Sequence, residues 1–202
     1  TNRFSLDAKI EDAAARMSDL LALQIAKEEG NPGSVMCAYN RVNGVYACES
    51  NYLLNEVLKQ DWGFKGWVMS DWGATHSTVP AANSGLDQQS GIPFDNSEYF
   101  GGALKEAVQN GWVSQARFDD MVRRILHPMF ELGVIDNPVS AKPQTINFKA
   151  NGLVSQKDAE DGMVLLKNDS KLLPLSKTAK KIAIIGSHAD VGVLSGGGSS
   201  QV

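Results

Sequence analysis

GFKGWVMSDWG, residues 63–73, is the stretch that decides the fold prediction for this chain. Its centre, WVMS, is a short apolar run that directly follows Gly66, which is typical of a buried β-strand. The run leads directly into Asp71 and Trp72, so a carboxylate and an indole stand where the strand ends. In a barrel of parallel strands, this end of each strand is where active sites are built. The stretch therefore predicts a strand that carries Asp71 into a site.

A similar pattern precedes this stretch. SVMCAY at residues 34–39 has the length of a second strand, and helical periodicity is predicted over 7–29 and again from Ser50 to Leu58. Alternating strands and helices indicate parallel βαβ units. Tyr39 and Asp71 lie 32 positions apart, and a (β/α)8 barrel spends roughly 31 residues on each unit. The spacing fits such a barrel, and it equally fits an open doubly wound sheet.

Downstream, the pattern changes near residue 137. Helices are predicted over 98–109 and 115–131, and a proline-containing polar stretch then follows. A further helix is expected near 152–162. KIAIIG, residues 181–186, resembles the first strand of a new α/β unit. A domain boundary is therefore predicted near 137–150.

Composition narrows the functional classes. The chain has 202 residues, a formal net charge of -4, 43% hydrophobic and 21% charged residues. This is an ordinary globular composition, and the length allows one domain or one and a fraction. The slight acidity argues against a nucleic-acid partner, which needs a basic face. No apolar run approaches the ~18 residues of a membrane span.

Two interpretations of Asp71 follow from the residues alone. Beside an indole, a carboxylate suits a sugar site, because the ring covers the C–H face of a pyranose while the carboxylate faces the anomeric carbon. Alternatively, Asp71 caps a helix starting near Ala74-Thr75, and Trp72 fills a gap. Both interpretations are compatible with the local sequence.

Longer motifs resemble one enzyme family. GFKGWVMSDWGATH at 63–76 closely resembles the nucleophile segment of glycoside hydrolase family 3, whose members are retaining, exo-acting β-glycosidases and often β-glucosidases. SVMCAYNRVNG at 34–44, ELGVIDNP at 131–138 and KIAIIGSHAD at 181–190 are similar to further segments of that family, in the family's order. The resemblance covers nearly the whole chain.

The resemblance implies an α/β fold. Residues 1–137 would form the C-terminal part of a (β/α)8 TIM barrel. Residues 138–150 would be a linker, and residues 151–202 the incomplete start of a second domain, an α/β sandwich. The implied activity is hydrolysis of a terminal, non-reducing β-linked sugar from an oligosaccharide or glycoside. No metal and no organic cofactor is implied.

The resemblance also implies residue roles. Asp71 would be the catalytic nucleophile, and Trp72 would stack on the sugar or the aglycone. Tyr39 and Met36 match positions that line the pocket, although both would also suit a simple core strand. Asp87 is interpreted as structural, and the polar Gln88-Gln89-Ser90 replaces a more apolar continuation.

Several parts of the family's site are expected outside this sequence. The acid/base Glu would follow Val202, and the Lys-His pair that grips the sugar would precede Thr1. None of the carboxylates matches the acid/base position: Glu49, Glu56, Asp95 and Glu98. The isolated chain is therefore expected to be inactive and to need the remaining polypeptide of the parent enzyme. The alternative is a non-catalytic fragment, or one chain of a split protein.

The remaining features are less specific. Cys37 and Cys48 are a pair that related sequences often share, so a disulfide and a secreted or periplasmic location are expected; two reduced cysteines are the alternative. His76 is interpreted as a loop or capping residue. A nucleotide-binding α/β protein is disfavoured, because the glycines after KIAIIG fit neither GxGxxG nor GxxxxGK[ST].

Overall fold

The computed structural model describes residues 2–91, 95, 97–139, 142, 145–193 and 195–196. Parts of the predicted linker, together with Gly197 and Gly198, therefore lie outside the described residues. The chain divides into two compact units, residues 1–141 and 142–202.

The first unit is built on a parallel strand pair. Strand β2, Ser34–Cys37, pairs with β5, Trp67–Ser70, so that Ser34 lies opposite Trp67 and Cys37 opposite Ser70. Both strands were predicted from their apolar runs, and their parallel direction is confirmed. Met69 forms a further parallel bridge with Gln88 on the chain's return. The ends of both predicted strands therefore lie at the same edge.

Three strands of two residues each form a second, smaller sheet. Its order is β1 (Asp7–Ala8), β3 (Arg41–Val42) and β4 (Val45–Tyr46), with β1 parallel and β4 antiparallel to β3. The β3–β4 hairpin turns at Asn43-Gly44, where φ is 51° and 92°. Asn-Gly is the pair that tolerates two positive φ angles best, so this turn follows directly from the sequence.

The described residues also form several helical elements. They are a 3-10 turn at Ala47–Glu49, a π-helix at Tyr52–Asp61, and six α-helices: α1 Asp12–Met17, α2 Asp19–Gly30, α3 Val79–Asn83, α4 Gly102–Gln109, α5 Gln115–Glu131 and α6 Phe148–Asp161. The Ser50 hydroxyl accepts a hydrogen bond from the Leu53 amide at 3.2 Å, as expected for a residue that starts a helix. The range predicted for α5 is confirmed.

The prediction of one continuous helix over 7–29 is wrong. Residues 7–8 form β1, and the helix breaks at Ser18, whose φ and ψ are −126° and −90°. The Ser18 hydroxyl donates to the carbonyl of Ala14 at 2.6 Å and also contacts Asp19. A serine side chain that competes for backbone groups in this way disfavours an uninterrupted helix.

Two clusters form the core of the first unit. The larger packs the β2–β5 strands against the π-helix and α3: Cys37, Cys48, Leu54, Leu58, Phe64, Val68, Ala74, Ala81 and Leu86. The smaller joins α3, α4 and α5: Ala82, Leu104, Ala107, Val113 and Met121. Helix α2 contributes to neither cluster, because none of its residues is buried.

The second unit contains α6, which begins at Phe148 after the side chain of Asn147 accepts a hydrogen bond from the Ala150 amide. The strand predicted at residues 181–186 is absent from the structure. Ile185 is 93% exposed. A strand needs a neighbour to complete its hydrogen bonds, and no strand is present in the described part of this unit. Across the described residues, none of the helices has the length and hydropathy needed to span a membrane.

Candidate active site

Asp71 lies one residue beyond β5. Its amide donates to the carbonyl of Cys37 at 3.2 Å, and its carboxylate accepts the Trp72 amide at 2.7 Å. The backbone then turns, because the Ala74 amide donates to the Asp71 carbonyl at 3.1 Å. The next helix, α3, begins only at Val79. Asp71 therefore does not cap a helix, and its half-buried carboxylate lies at the ends of the paired strands.

Tyr39 and Asp71 come together because they follow β2 and β5, which are hydrogen-bonded neighbours. Burial, and then hydrogen bonding to Asp71, raise the pKa of Tyr39 above its usual value. Both causes favour the protonated phenol. A neutral hydroxyl facing a carboxylate can donate a hydrogen bond to it and orient it.

Trp72 lies beside Asp71 with 53% of its surface exposed. Its indole lies against Gly91, where φ is 85° and a Cβ atom would approach the Trp72 Cδ1 atom to 2.2 Å. Only glycine leaves room for the ring at this position. The motif predicted the tryptophan, but the requirement for glycine arises from a contact between residues distant in sequence.

Met36 has a different environment. It is 56% exposed and lines a mostly apolar cavity of about 830 Å³ together with residues from α1, α2 and the π-helix. The walls of this cavity do not include Asp71, Tyr39 or Trp72. Among the described residues, the structure thus brings Tyr39 and Trp72 to Asp71 but places Met36 on another cavity.

Two further polar residues border the site. The carboxylate of Asp95 accepts hydrogen bonds from the Gly73 amide and from the side-chain amide of Gln89. Gln89 also accepts the Phe100 amide at 2.8 Å and donates to the Ser97 carbonyl at 2.8 Å. Gln89 belongs to the polar run that departs from the family pattern. Through these hydrogen bonds, Gln89 holds Asp95, Ser97 and Phe100 next to the turn that contains Asp71. The departure from the family pattern did not by itself predict this role.

Asp87 lies in the core behind the site. Its fully buried carboxylate contacts Lys59 at 2.8 Å and Arg117 at 2.7 Å, and it accepts the Val68 amide at 2.8 Å. Burial lowers the pKa of Lys59 to about 8, against the opposing effect of Asp87. This arrangement agrees with the structural interpretation of Asp87.

His76 lies farther along the same loop. Its ring stacks on Tyr46 with 3.8 Å between centroids, and Arg41 covers the Tyr46 ring at 4.3 Å. The stack joins the β3–β4 hairpin to the loop that follows Asp71. Within the described part of the chain, no group of His, Cys, Asp and Glu side chains is arranged to hold a metal ion.

A disulfide joins Cys37, the last residue of β2, to Cys48 in the 3-10 turn. The two Cα atoms are 5.2 Å apart, and both residues are buried. The bond closes the segment that contains the β3–β4 hairpin. Because the Cys37 carbonyl also accepts the Asp71 amide, this covalent loop is attached directly to the candidate site.

We expect loss of the disulfide to destabilise the first unit. Reduction, or the double substitution C37A/C48A, should lower the free energy of unfolding by about 3 kcal/mol, because a short loop regains its freedom in the unfolded chain. Urea unfolding followed by tryptophan fluorescence measures this change. Reducing agent should have no further effect on the double variant, and an unchanged wild-type transition after reduction would contradict the prediction.

Comparisons with known proteins agree with the motifs. Residues 9–127 match the glycosyl hydrolase family 3 N-terminal domain, and residues 163–202 match the C-terminal domain of the same family. The chain is 38% identical to beta-glucosidase B of Emericella nidulans over 205 aligned residues, covering 100% of this chain and 24% of that protein. It spans about a quarter of the length of the curated relatives that it matches.

Solved structures show the same relationship. The beta-glucosidase D2-BGL from Chaetomella raphigera superimposes with a TM-score of 0.77 at 36% identity, over 87% of this chain and 26% of that one. DesR, a beta-glucosidase from Streptomyces venezuelae in complex with D-glucose, gives 0.74 at 39% identity, over 87% and 23%. Because a family profile covers more than half of its residues and the relatives match along its length, the chain belongs to glycosyl hydrolase family 3.

Proposed function

We propose that this chain is part of a retaining, exo-acting β-glycosidase of the β-glucosidase type, in which Asp71 is the nucleophile. The observation that carries the proposal is the position of Asp71, whose carboxylate lies at the ends of two parallel strands, facing Tyr39 and next to Trp72. Family membership and relatives named beta-glucosidase support the substrate class.

The proposed reaction has two steps. In the first, an Asp71 oxygen attacks the anomeric carbon while the bond to the leaving oxygen breaks, and that oxygen takes a proton from an acid. The product is a glycosyl ester on Asp71. In the second, a water molecule gives up a proton to the same group, now acting as a base, and displaces Asp71 from the anomeric carbon. The two inversions retain the anomeric configuration.

In this proposal, the residues around Asp71 have different roles in catalysis and sugar binding. Tyr39 would hold the carboxylate in position by hydrogen bonding, and Trp72 would offer its exposed indole face to the sugar or aglycone. We include Met36 only as a residue of the wider pocket, because in this structure it lines a cavity whose walls do not include Asp71. The proposal includes no metal and no cofactor.

The acid/base and further sugar-binding groups would come from polypeptide outside this sequence. In this proposal, residues 1–137 are the C-terminal part of a TIM barrel, 138–150 a linker, and 151–202 the start of an α/β sandwich domain. The exposed apolar residues of both units support it, because such surfaces normally pack against other chain segments. They include Leu23 in α2 and Ile184 in the unpaired 181–186 segment. The buried disulfide supports a secreted or periplasmic location.

Covalent labelling tests the nucleophile. In the complete enzyme, a 2-fluoro glycoside with a good leaving group should trap the glycosyl ester, since fluorine slows its hydrolysis more than its formation. Peptide mass spectrometry should find the label on the peptide that contains Asp71, and the D71N variant should remain unlabelled. Label on any other carboxylate would refute the assignment.

The isolated chain provides a second test. We expect the 202-residue chain to leave aryl β-glucosides intact, because the groups proposed to grip the sugar are outside it. Such substrates need little general-acid help, so their survival reports on the sugar pocket and not on the acid. Turnover at the rate of the complete enzyme would contradict the proposal, because it would show that this chain alone contains the groups that bind and cleave the sugar.

A further inference from the structure

The segment that precedes α1 is fastened to the β3–β4 hairpin. Strand β1 pairs with β3, and the Asn43 side chain makes two hydrogen bonds with the backbone of Ile10, at 2.8 and 3.1 Å. The Asp7 carboxylate accepts the Gly44 amide at 2.8 Å. The amide of Arg41 also donates to the carbonyl of Leu6 at 2.9 Å. The start of the chain is therefore held in a defined position beside the hairpin.

This attachment places two side chains on Tyr39. The ring of Phe4 lies 4.5 Å from the Tyr39 ring, centroid to centroid, with 54° between the planes. The Arg3 guanidinium lies 5.0 Å from the Tyr39 centroid and 5.2 Å from that of Phe4. Tilted aromatic pairs and cation–π contacts at these distances are attractive. The three side chains contact one another, and we call them the Arg3–Phe4–Tyr39 group.

Tyr39 connects this group to the candidate nucleophile. Its ring packs partly against the larger core cluster, while its hydroxyl faces the carboxylate of Asp71. The charged groups around the hydroxyl are Asp71, Arg3 and Asp95. The core supports the ring on one side, and Arg3 and Phe4 add contacts from a segment distant in sequence.

We propose that Arg3 and Phe4 are positioning residues, which hold the Tyr39 ring so that its hydroxyl stays within reach of Asp71. The proposal rests on the proposed role of Asp71. A hydrogen bond weakens steeply with distance and angle, so a ring free to tilt would no longer orient the carboxylate. Neither residue needs to touch the reacting atoms for this role.

The pKa of Tyr39 provides a direct test. Burial and the hydrogen bond to Asp71 raise it, whereas the charge of Arg3 lowers it. In the 202-residue chain with 13C-labelled tyrosine, NMR titration follows this pKa, and the Y39F variant assigns the signal. In F4A the Tyr39 ring should become more exposed to water, and its hydroxyl should lose the hydrogen bond to Asp71. We therefore expect its pKa to fall toward the ordinary value of 10.0.

The R3Q variant separates positioning from charge. Removal of the positive charge alone would raise the pKa of Tyr39, whereas release of the ring should lower it. We expect a fall in R3Q as well, and the F4W variant, which keeps an aromatic ring, should retain the wild-type pKa. The matched control is R41Q, because Arg41 stacks on a different tyrosine and should leave the Tyr39 signal unchanged.

Two results would overturn the proposal: an unchanged pKa in F4A, or a rise in R3Q. Should F4A fail to fold, as judged by circular dichroism, R3Q alone decides between a rise and a fall. The titration does not depend on catalysis, so its outcome is separate from that of the 2-fluoro label. A labelled Asp71 with an unaffected Tyr39 would remove the positioning role only. Label on another carboxylate would remove the nucleophile assignment instead.

Discussion

Replacing Asp71 with Asn in the complete enzyme should reduce kcat for aryl β-glucosides by on the order of 10^4-fold or more, which is the scale seen when a catalytic nucleophile is lost. The amide keeps the shape of the side chain and can still accept the Trp72 amide. It lacks the negative charge needed to attack the anomeric carbon. The comparison requires steady-state kinetics of the wild type and D71N at equal concentrations of folded enzyme.

Chemical rescue distinguishes a nucleophile from a structural carboxylate. In D71G the removed side chain leaves space for a small anion, so azide should restore turnover and yield a glycosyl azide of inverted configuration. The matched control is D119N, because Asp119 is a carboxylate on α5 that accepts a hydrogen bond from the Gln115 side chain. That variant should keep wild-type kinetics. Undiminished activity in D71N would exclude the proposed role.

The second large effect concerns stability. Replacing Asp87 with Asn should lower the free energy of unfolding by about 3–5 kcal/mol, the usual cost of removing one member of a buried ion pair. The side chains of its partners Lys59 and Arg117 are only 6% and 14% exposed. Lys59 would remain in the core without this carboxylate, and Arg117 would keep only its ion pair with Asp120, at 2.8 Å. Urea unfolding of the first unit measures the change.

A surface pair provides the control for this substitution. Lys9 contacts Asp7 with 67% of its side chain exposed, so K9Q should leave the unfolding transition unchanged within error. Equal stability of D87N and the wild type would show that the buried pairs contribute nothing.

The stability deficit of D87N should also depend on pH. In the wild type, Lys59 has a pKa of about 8 when folded and 10.5 as its ordinary value, so stability rises with pH between these values. Without Asp87 the pKa of Lys59 falls further, and the variant begins to gain stability at lower pH. The difference between the two proteins should therefore narrow as pH rises toward about 8.

The local elements were largely predictable from sequence. The apolar runs at 34–37 and 67–70 become a parallel strand pair that buries Cys37 and Val68 in the core, and Asn43-Gly44 becomes a turn because its residues tolerate positive φ. The continuous helix predicted for residues 7–29 was wrong for a local reason, because the Ser18 side chain competes for backbone groups at the helix break. The strand predicted at 181–186 failed for a non-local one, since a strand requires a partner that the described residues do not supply.

The residues of the candidate site also differ in whether the sequence alone could predict them. A single contiguous motif carries Asp71 and Trp72, so the sequence alone predicts both and the chemistry that they suit. Met36 also lies in a motif, yet the structure assigns it to another cavity, because neighbours of a strand residue come from other elements. Gly91 and Asp95 belong to no motif. They were recognised only from the atoms that they approach.

The sequence by itself therefore determined the parallel strands, the Asn-Gly turn and the family, and it singled out the residue that we propose as the nucleophile. Each depends on residues close together in the chain, where spacing and side-chain type carry the information. Only the tertiary structure decided that Tyr39 faces Asp71, that Asp87 joins Lys59 and Arg117, and that Arg3 and Phe4 cover Tyr39. Those contacts join distant segments, and their geometry follows from how strands and helices pack together.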